Sequence, residues 1–236
     1  MSVRPRQLAR RLLEPRSGST RRIPLGPARG IRFEADSVLS LDYWLGLYEY
    51  ELAPWFRRFC RAGTRCVDVG AYNAYYALTL AKLTRAPVLS YEPESDAVAR
   101  CRRNLAFNPT LAPLIELRAL TVGARSAGAS VTLDDELLPL ARCARPPSWL
   151  VKLDVEGAEL EVLTGAEQFL ERMRPHLIVE THSGELEEAC GQTLRAAGYS
   201  PRVVTQRRVL RQDRSWPPGV PSHNRWLVAV GRAEIG

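Results

Sequence analysis

No apolar run in this chain approaches the ~20 residues needed to cross a bilayer, so no membrane span is expected. Near the N-terminus there is no apolar stretch followed by a small-residue cleavage site, so no secretory signal is expected either. Cysteine is sparse: Cys60, Cys66, Cys101, Cys143 and Cys190 include no C-x-x-C spacing. An odd number of scattered cysteines reads as reduced, packed thiols rather than a disulfide framework, and the cytoplasm is the expected compartment. Acid is nearly absent from the first 32 residues, where Glu14 alone faces a run of arginines from Arg4 to Arg32. That stretch supplies much of the net charge of +7. It could bind nucleic acid or anionic lipid, or resemble an organellar transit segment, but no aromatic residue interleaves the arginines to stack on bases. A solvated tail is the favoured reading, with no nucleic-acid partner.

What remains fits one soluble α/β domain: 236 residues with 45% hydrophobic content, no internal repeat and no low-complexity linker. Residues 1–22 are assigned to the basic tail and 23–236 to the domain. After a Pro/Gly-punctuated entry and a short strand near Ile31–Phe33, the aromatic-rich spacing of Leu45–Arg61 predicts a helix. Apolar strands then alternate with amphipathic helices. Strands are expected at Cys66–Val69, Pro87–Tyr91, Ile115–Val122, Trp149–Val155 and Leu177–Glu180, with a closing pair at Arg202–Leu210 and Arg225–Val230. Helices are expected at Tyr75–Leu83, at Ser95–Asn104 with Ser95 or Asp96 as cap, at Asp134–Arg142, at Ala158–Met173 and at Glu185–Ala197. This alternation predicts a doubly wound, mostly parallel seven-stranded sheet covered by helices on both faces.

Ligands of such sheets bind beyond the carboxyl ends of the strands, where strand order reverses, so the polar residues that close each strand are the candidates. The first strand closes on Asp68-Val69-Gly70-Ala71, a turn that lets a ligand approach the backbone and a helix N-terminus. By itself it is equally an ordinary strand-to-helix turn. The second closes on Glu92, about twenty residues later, where an acid can accept hydrogen bonds from ribose hydroxyls. The fourth places Lys152, Asp154 and Glu156 in alternation with Val151, Leu153 and Val155, costly unless that face opens into a site. Glu159 follows one helical turn later, and reads equally as an acid favoured by the helix dipole. The fifth ends on Glu180-Thr181-His182, with Glu180 and His182 on one face and directed to the same mouth as Asp154. His182 is the first candidate for a general base, oriented by Asp154 or Glu180. Lys152 could hold an acidic substrate group or pair with a carboxylate. Asp154, Glu180 and His182 could also hold a hard cation, but their spacing does not demand one and no metal is assigned. His176 reads as structural, and the role of His223 stays open.

Taken together, these motifs resemble the FkbM family of methyltransferases, within the Rossmann-like class that uses S-adenosylmethionine. The resemblance runs from about Ile23 to Leu227. It rests on Leu45-Gly-Leu-Tyr48-Glu49, Asp68-Val-Gly70-Ala71, Tyr91-Glu92-Pro93, Thr132-Leu-Asp134-Asp135, Lys152-Leu-Asp154-Val-Glu156-Gly157-Ala158-Glu159, Leu163-Thr-Gly165-Ala166 and Pro175-His-Leu-Ile-Val-Glu180. It implies methylation, chiefly at oxygen, of a small-molecule or sugar-bearing acceptor with S-adenosylmethionine as cofactor. Asp68, Gly70 and Ala71, with Tyr72 beside them, would approach the methionine part of the cofactor. Glu92 would take the ribose hydroxyls, and Asp154 would lie close to the methyl group and the acceptor. The family continues Gly-Ala with Asn, any residue and Gly, whereas Tyr72, Asn73 and Ala74 stand here. If position 74 requires positive φ, alanine there costs on the order of 1 kcal/mol relative to glycine. Two other readings use the same turn: a nicotinamide-dependent oxidoreductase, which leaves the fourth-strand motif unexplained, and a non-catalytic scaffold.

Overall fold

The computed structural model describes residues 19–35, 41–141, 148–206 and 225–231. The expected tail up to residue 18, Cys143, His223 and the second half of the strand expected at 202–210 lie outside the described residues. In chain order the strands are β1 (Thr20–Arg22), β2 (Arg32–Glu34), β3 (Arg65–Val69), β4 (Val88–Tyr91), β5 (Ile115–Arg118), β6 (Thr121–Val122), β7 (Ser130–Val131), β8 (Trp149–Leu153), β9 (His176–Thr181), β10 (Arg202–Thr205) and β11 (Arg225–Ala229). The helices are α1 (Leu41–Leu45), α2 (Ala53–Phe59), α3 (Tyr75–Thr84), α4 (Ser95–Ala106), α5 (Leu133–Leu137), α6 (Glu159–Thr164), α7 (Glu167–Met173) and α8 (Gly184–Ala196).

Seven strands form one sheet in the order β10-β11-β9-β8-β3-β4-β5. Every pairing is parallel except those of β11, which runs antiparallel to both neighbours. This is the expected doubly wound sheet. The period-2 geometry of strands divides its core in two. Cys66, Leu150 and Ile178 join one apolar cluster with Phe33, Phe56 and Leu78, while Val67, Val151 and Val179 join another with Val162 and Phe169. The chain steps outward from β3 through β4 to β5, then returns to β8 on the other side of β3. The switch in strand order therefore lies between β3 and β8, and a crevice is expected beyond Val69 and Leu153.

Several elements depart from their expected extents. The helix expected over Leu45–Arg61 is three pieces: α1, a 3-10 turn at Tyr50–Leu52, and α2. Left-handed backbone at Gly46 (φ 77°) and Glu49 (φ 45°) interrupts it, and Pro54 fits the start of α2, where a missing N–H costs little. The helix expected over Ala158–Met173 is α6 and α7, split at Gly165–Ala166. There the Asp134 carboxylate accepts the N–H groups of Gln168 (3.0 Å) and Phe169 (2.7 Å) and so caps α7. Thr132 caps α5 through the Asp135 N–H, so the Thr132-Leu-Asp134-Asp135 motif serves helix termini. The helix that begins at Ser95 is capped by neither Ser95 nor Asp96. Glu94 is its N-cap residue, without a side-chain cap.

Candidate active site

The site begins at the turn that leaves β3. Gly70 adopts φ 87°, and a Cβ there would lie 1.7 Å from the backbone oxygen of Asp154. Glycine is required twice, by the left-handed backbone and by the close approach of the segment after β8. Both the Gly70 and Ala71 N–H groups donate to the Tyr91 carbonyl, which ties the turn to β4. Tyr72 (φ 51°) and Ala74 (φ 64°) are also left-handed, so the alanine does stand where the family pattern has a glycine and carries that conformational cost. Glu92 closes β4 and is buried. Its two oxygens accept the Tyr72 N–H (2.8 Å) and the Glu94 N–H (3.0 Å), which pins turn and strand end together.

Beyond these strand ends lies a cavity of about 600 Å³. Its lining includes Glu92, Arg100 and the Leu120–Val122 segment, together with Tyr43, Tyr48, Tyr75 and Tyr76. Gly70, Ala71 and Asp154 lie on the wall as well. The tyrosine rings pack against one another at tilted or edge-on angles, with Tyr43 and Tyr75 ring centroids 4.7 Å apart. The Arg100 guanidinium lies over the half-exposed Tyr72 ring, 4.8 Å from its centroid.

Behind Asp154 sits a buried ionic cluster. Alternation along β8 gives Lys152 the same face as Leu150, and the β3–β8 register sets it opposite Asp68. Lys152 is fully buried, with Nζ 3.4 Å from Asp154 Oδ2, 3.5 Å from Glu180 Oε2 and 4.6 Å from the centre of the Tyr76 ring. Tyr76 donates its hydroxyl proton to the buried Glu49 carboxylate. Burial pushes Lys152 towards its neutral form, but Asp154, Glu49, Glu180 and Asp68 outweigh it and hold the ammonium charged. Burial raises the carboxyls in turn, Glu180 strongly and Asp68 to about 7. Asp154, Glu180 and His182 offer ligand atoms within 4.8 Å of one another. The Lys152 ammonium lies between two of them, so the chain supplies the positive charge there itself.

His182, just past β9, meets this cluster from the side. Its Nδ1 is 2.5 Å from Glu159 Oε1, and its Nε2 is 3.6 Å from both Asp154 Oδ1 and Glu156 Oε2. The hydrogen bond to Glu159 raises the imidazole pKa above its usual value, against an opposing effect of burial.

Residues 129–201 match the methyltransferase FkbM domain profile. That match spans less than half of the chain. Its fold is also that of a methyltransferase FkbM from Methylobacillus flagellatus KT, at 16% identity and TM-score 0.56, with 80% of this chain covered. Only 52% of that protein is covered, so the chain spans about half its length. A ribosomal protein L11 methylase from Lactobacillus delbrueckii subsp. bulgaricus is similar at 13% identity and TM-score 0.52, covering 80% of each chain. An S-adenosylmethionine-dependent O-methyltransferase from Thermotoga maritima is similar at 11% and 0.52, covering 78% of this chain and 65% of the other. Comparison with curated protein sequences returns no match.

The expected residues separate into two groups. Gly70, Ala71, Tyr72, Glu92 and Asp154 line the cavity. Asp68, Lys152 and Glu180 are buried in the cluster behind it, so Lys152 pairs with carboxylates rather than with a substrate group. Glu180 and His182 do approach Asp154, as the shared strand face suggested. The carboxylate hydrogen-bonded to His182, however, is that of Glu159, and Glu180 turns to Lys152. Glu156 is not part of β8: the strand stops at Leu153, and Glu156 lies in the following loop with φ 51° and its side chain 84% exposed. The tyrosine wall and the buried Glu49 were not singled out as site residues, although Tyr48 and Glu49 belong to a segment that carries the family resemblance. Among the described residues, no helix is long and apolar enough to cross a membrane.

Proposed function

We propose that the chain is an FkbM-type methyltransferase that transfers a methyl group from S-adenosylmethionine to a hydroxyl of a small-molecule or sugar-bearing acceptor. The observation that carries this reading is the position of Asp154. It lines the cavity where the β3 turn meets the tyrosine wall, with Lys152 and His182 immediately behind it.

The cavity suits this cofactor. Glu92 already accepts two backbone N–H groups, and a carboxylate has about four acceptor positions, which leaves two for ribose hydroxyls. The Leu120–Val122 edge is the matching place for the adenine ring. At the other end, Asp154 and the acids behind it favour a positively charged centre over a neutral one. When bound, S-adenosylmethionine supplies an electrophilic methyl: the acceptor oxygen forms the new O–C bond as the S–C bond breaks, its electron pair staying on sulfur. The residues of the chain position the acceptor and take its proton, and positioning supplies much of the rate in such a displacement. Asp154 orients the acceptor hydroxyl, and His182 receives the proton on Nε2. Asp154 and Glu156 both line the cavity, so a carboxylate or phosphate close to the reacting hydroxyl would meet like charge. The acceptor is therefore neutral or cationic at its reacting end.

Calorimetry with S-adenosylmethionine, S-adenosylhomocysteine and NAD tests the reading. Both sulfur nucleosides should bind and the nicotinamide nucleotide should not. Folded protein that binds neither sulfur nucleoside would overturn it.

A further inference from the structure

Glu159 opens α6 and is completely buried. Its Oε1 accepts the Gly157 N–H at 3.1 Å and faces His182 Nδ1, while Oε2 has no hydrogen-bond partner among the described residues. An acid in the first turn of a helix gains only about 0.3–1 kcal/mol from the helix dipole. Burying an ion costs several kcal/mol, so the dipole does not account for this placement. The imidazole beside it does.

We infer that Glu159 is a positioning residue, holding His182 with its proton on Nδ1 and the Nε2 lone pair facing Asp154 and Glu156 at the cavity mouth. The two ring nitrogens cannot exchange roles while this hydrogen bond stands, because an ionised carboxylate only accepts. Nε2 is thus kept as the acceptor for the hydroxyl proton, and a proton taken there faces Glu156, which is open to solvent. The charged groups facing the ring are Glu159 on one side and Asp154 and Glu156 on the other; all three favour the protonated ring, Glu159 most. The inference rests on the proposed methyl transfer for its purpose, but not for its test.

The test is the ring tautomer of His182 in the intact chain, read by long-range ¹H–¹⁵N NMR correlation. The chain has three histidines, and a His182→Gln spectrum assigns the signal. Above its titration the wild-type ring should carry the proton on Nδ1. Glu159→Gln, which keeps size and the Gly157 contact, should lower the titration midpoint by about 1–3 pH units. Glu159→Leu, which removes the acceptor, should move the proton to Nε2. A wild-type ring protonated on Nε2 would overturn the inference without any variant. So would a Glu159→Gln ring whose tautomer and midpoint match the wild type. Calorimetry with S-adenosylmethionine on the same samples keeps the two readings apart: its failure touches the methyltransferase assignment, and the tautomer result touches Glu159.

Discussion

Gly70→Ala probes the junction on which the site depends. The new Cβ would lie 1.7 Å from the Asp154 backbone oxygen, so either the turn or the segment after β8 must move. Left-handed backbone costs an alanine about 1–2 kcal/mol. Reduced freedom of the unfolded chain returns about 0.4–1 kcal/mol. Forcing atoms into a packed interior adds about 1–3 kcal/mol. Gly63 provides the control: it has the same φ of 87°, yet a Cβ there meets nothing within 4 Å. Gly63→Ala therefore carries the backbone cost alone, and the difference between the two variants isolates the contact with Asp154. For a chain of this length 1 kcal/mol corresponds to about 2–4 °C in Tm, so Gly70→Ala should melt about 2–12 °C below Gly63→Ala. Thermal unfolding followed by circular dichroism measures this. Gly70→Ala should also weaken S-adenosylmethionine binding, and Gly63→Ala should not. Equal melting temperatures would refute the claim that β3 and β8 meet through this glycine.

Two further substitutions test the buried cluster. Lys152→Met removes the cation shared by Asp154 and Glu180, and losing one partner of a buried pair costs about 3–5 kcal/mol. The loss should be larger at pH 8 than at pH 5, where the carboxyls take up protons, and Glu180→Gln in the same chain should restore part of it in urea denaturation; an unchanged midpoint would exclude Lys152 as the counter-ion. Asp68 supplies a pH test. Burial raises its folded carboxyl to about 7, whereas the unfolded chain releases that proton near pH 4. Between those values the folded state binds more protons, so this group's contribution to stability falls as pH rises from about 4 to about 7. Asp68→Asn should flatten that part of the stability profile, and an identical slope would contradict the raised value.

Much of the architecture is legible along the chain because it follows from local periodicity. Alternating apolar residues mark β3, β8 and β9, and amphipathic spacing marks α4 and α8, so a doubly wound sheet can be read before any contact is known. The broken helices could not be read this way. Leu45–Arg61 has helical spacing throughout, but the left-handed backbone at Gly46 and Glu49 divides it. Ala158–Met173 is split where Asp134, far away in sequence, caps the second half. The site shows the same division. Gly70, Glu92 and Asp154 stand at strand ends, where polar groups in apolar runs announce themselves. The part played by Glu159 is hidden, since an acid in the first turn of a helix looks the same whether or not an imidazole waits beside it.

The order of residues by itself determined most of the strands of the main sheet, the turn after β3 and the presence of charge at the end of β8, because each depends on neighbours a few positions away. Only the tertiary structure decided which of those charges are exposed and which are buried. Strand register placed Lys152 beside Asp68, and packing brought Glu49 and Tyr76 over them and turned Glu180 inward. The protonation of a buried group depends on every charge within a few ångströms, and those charges come from segments far apart in the chain.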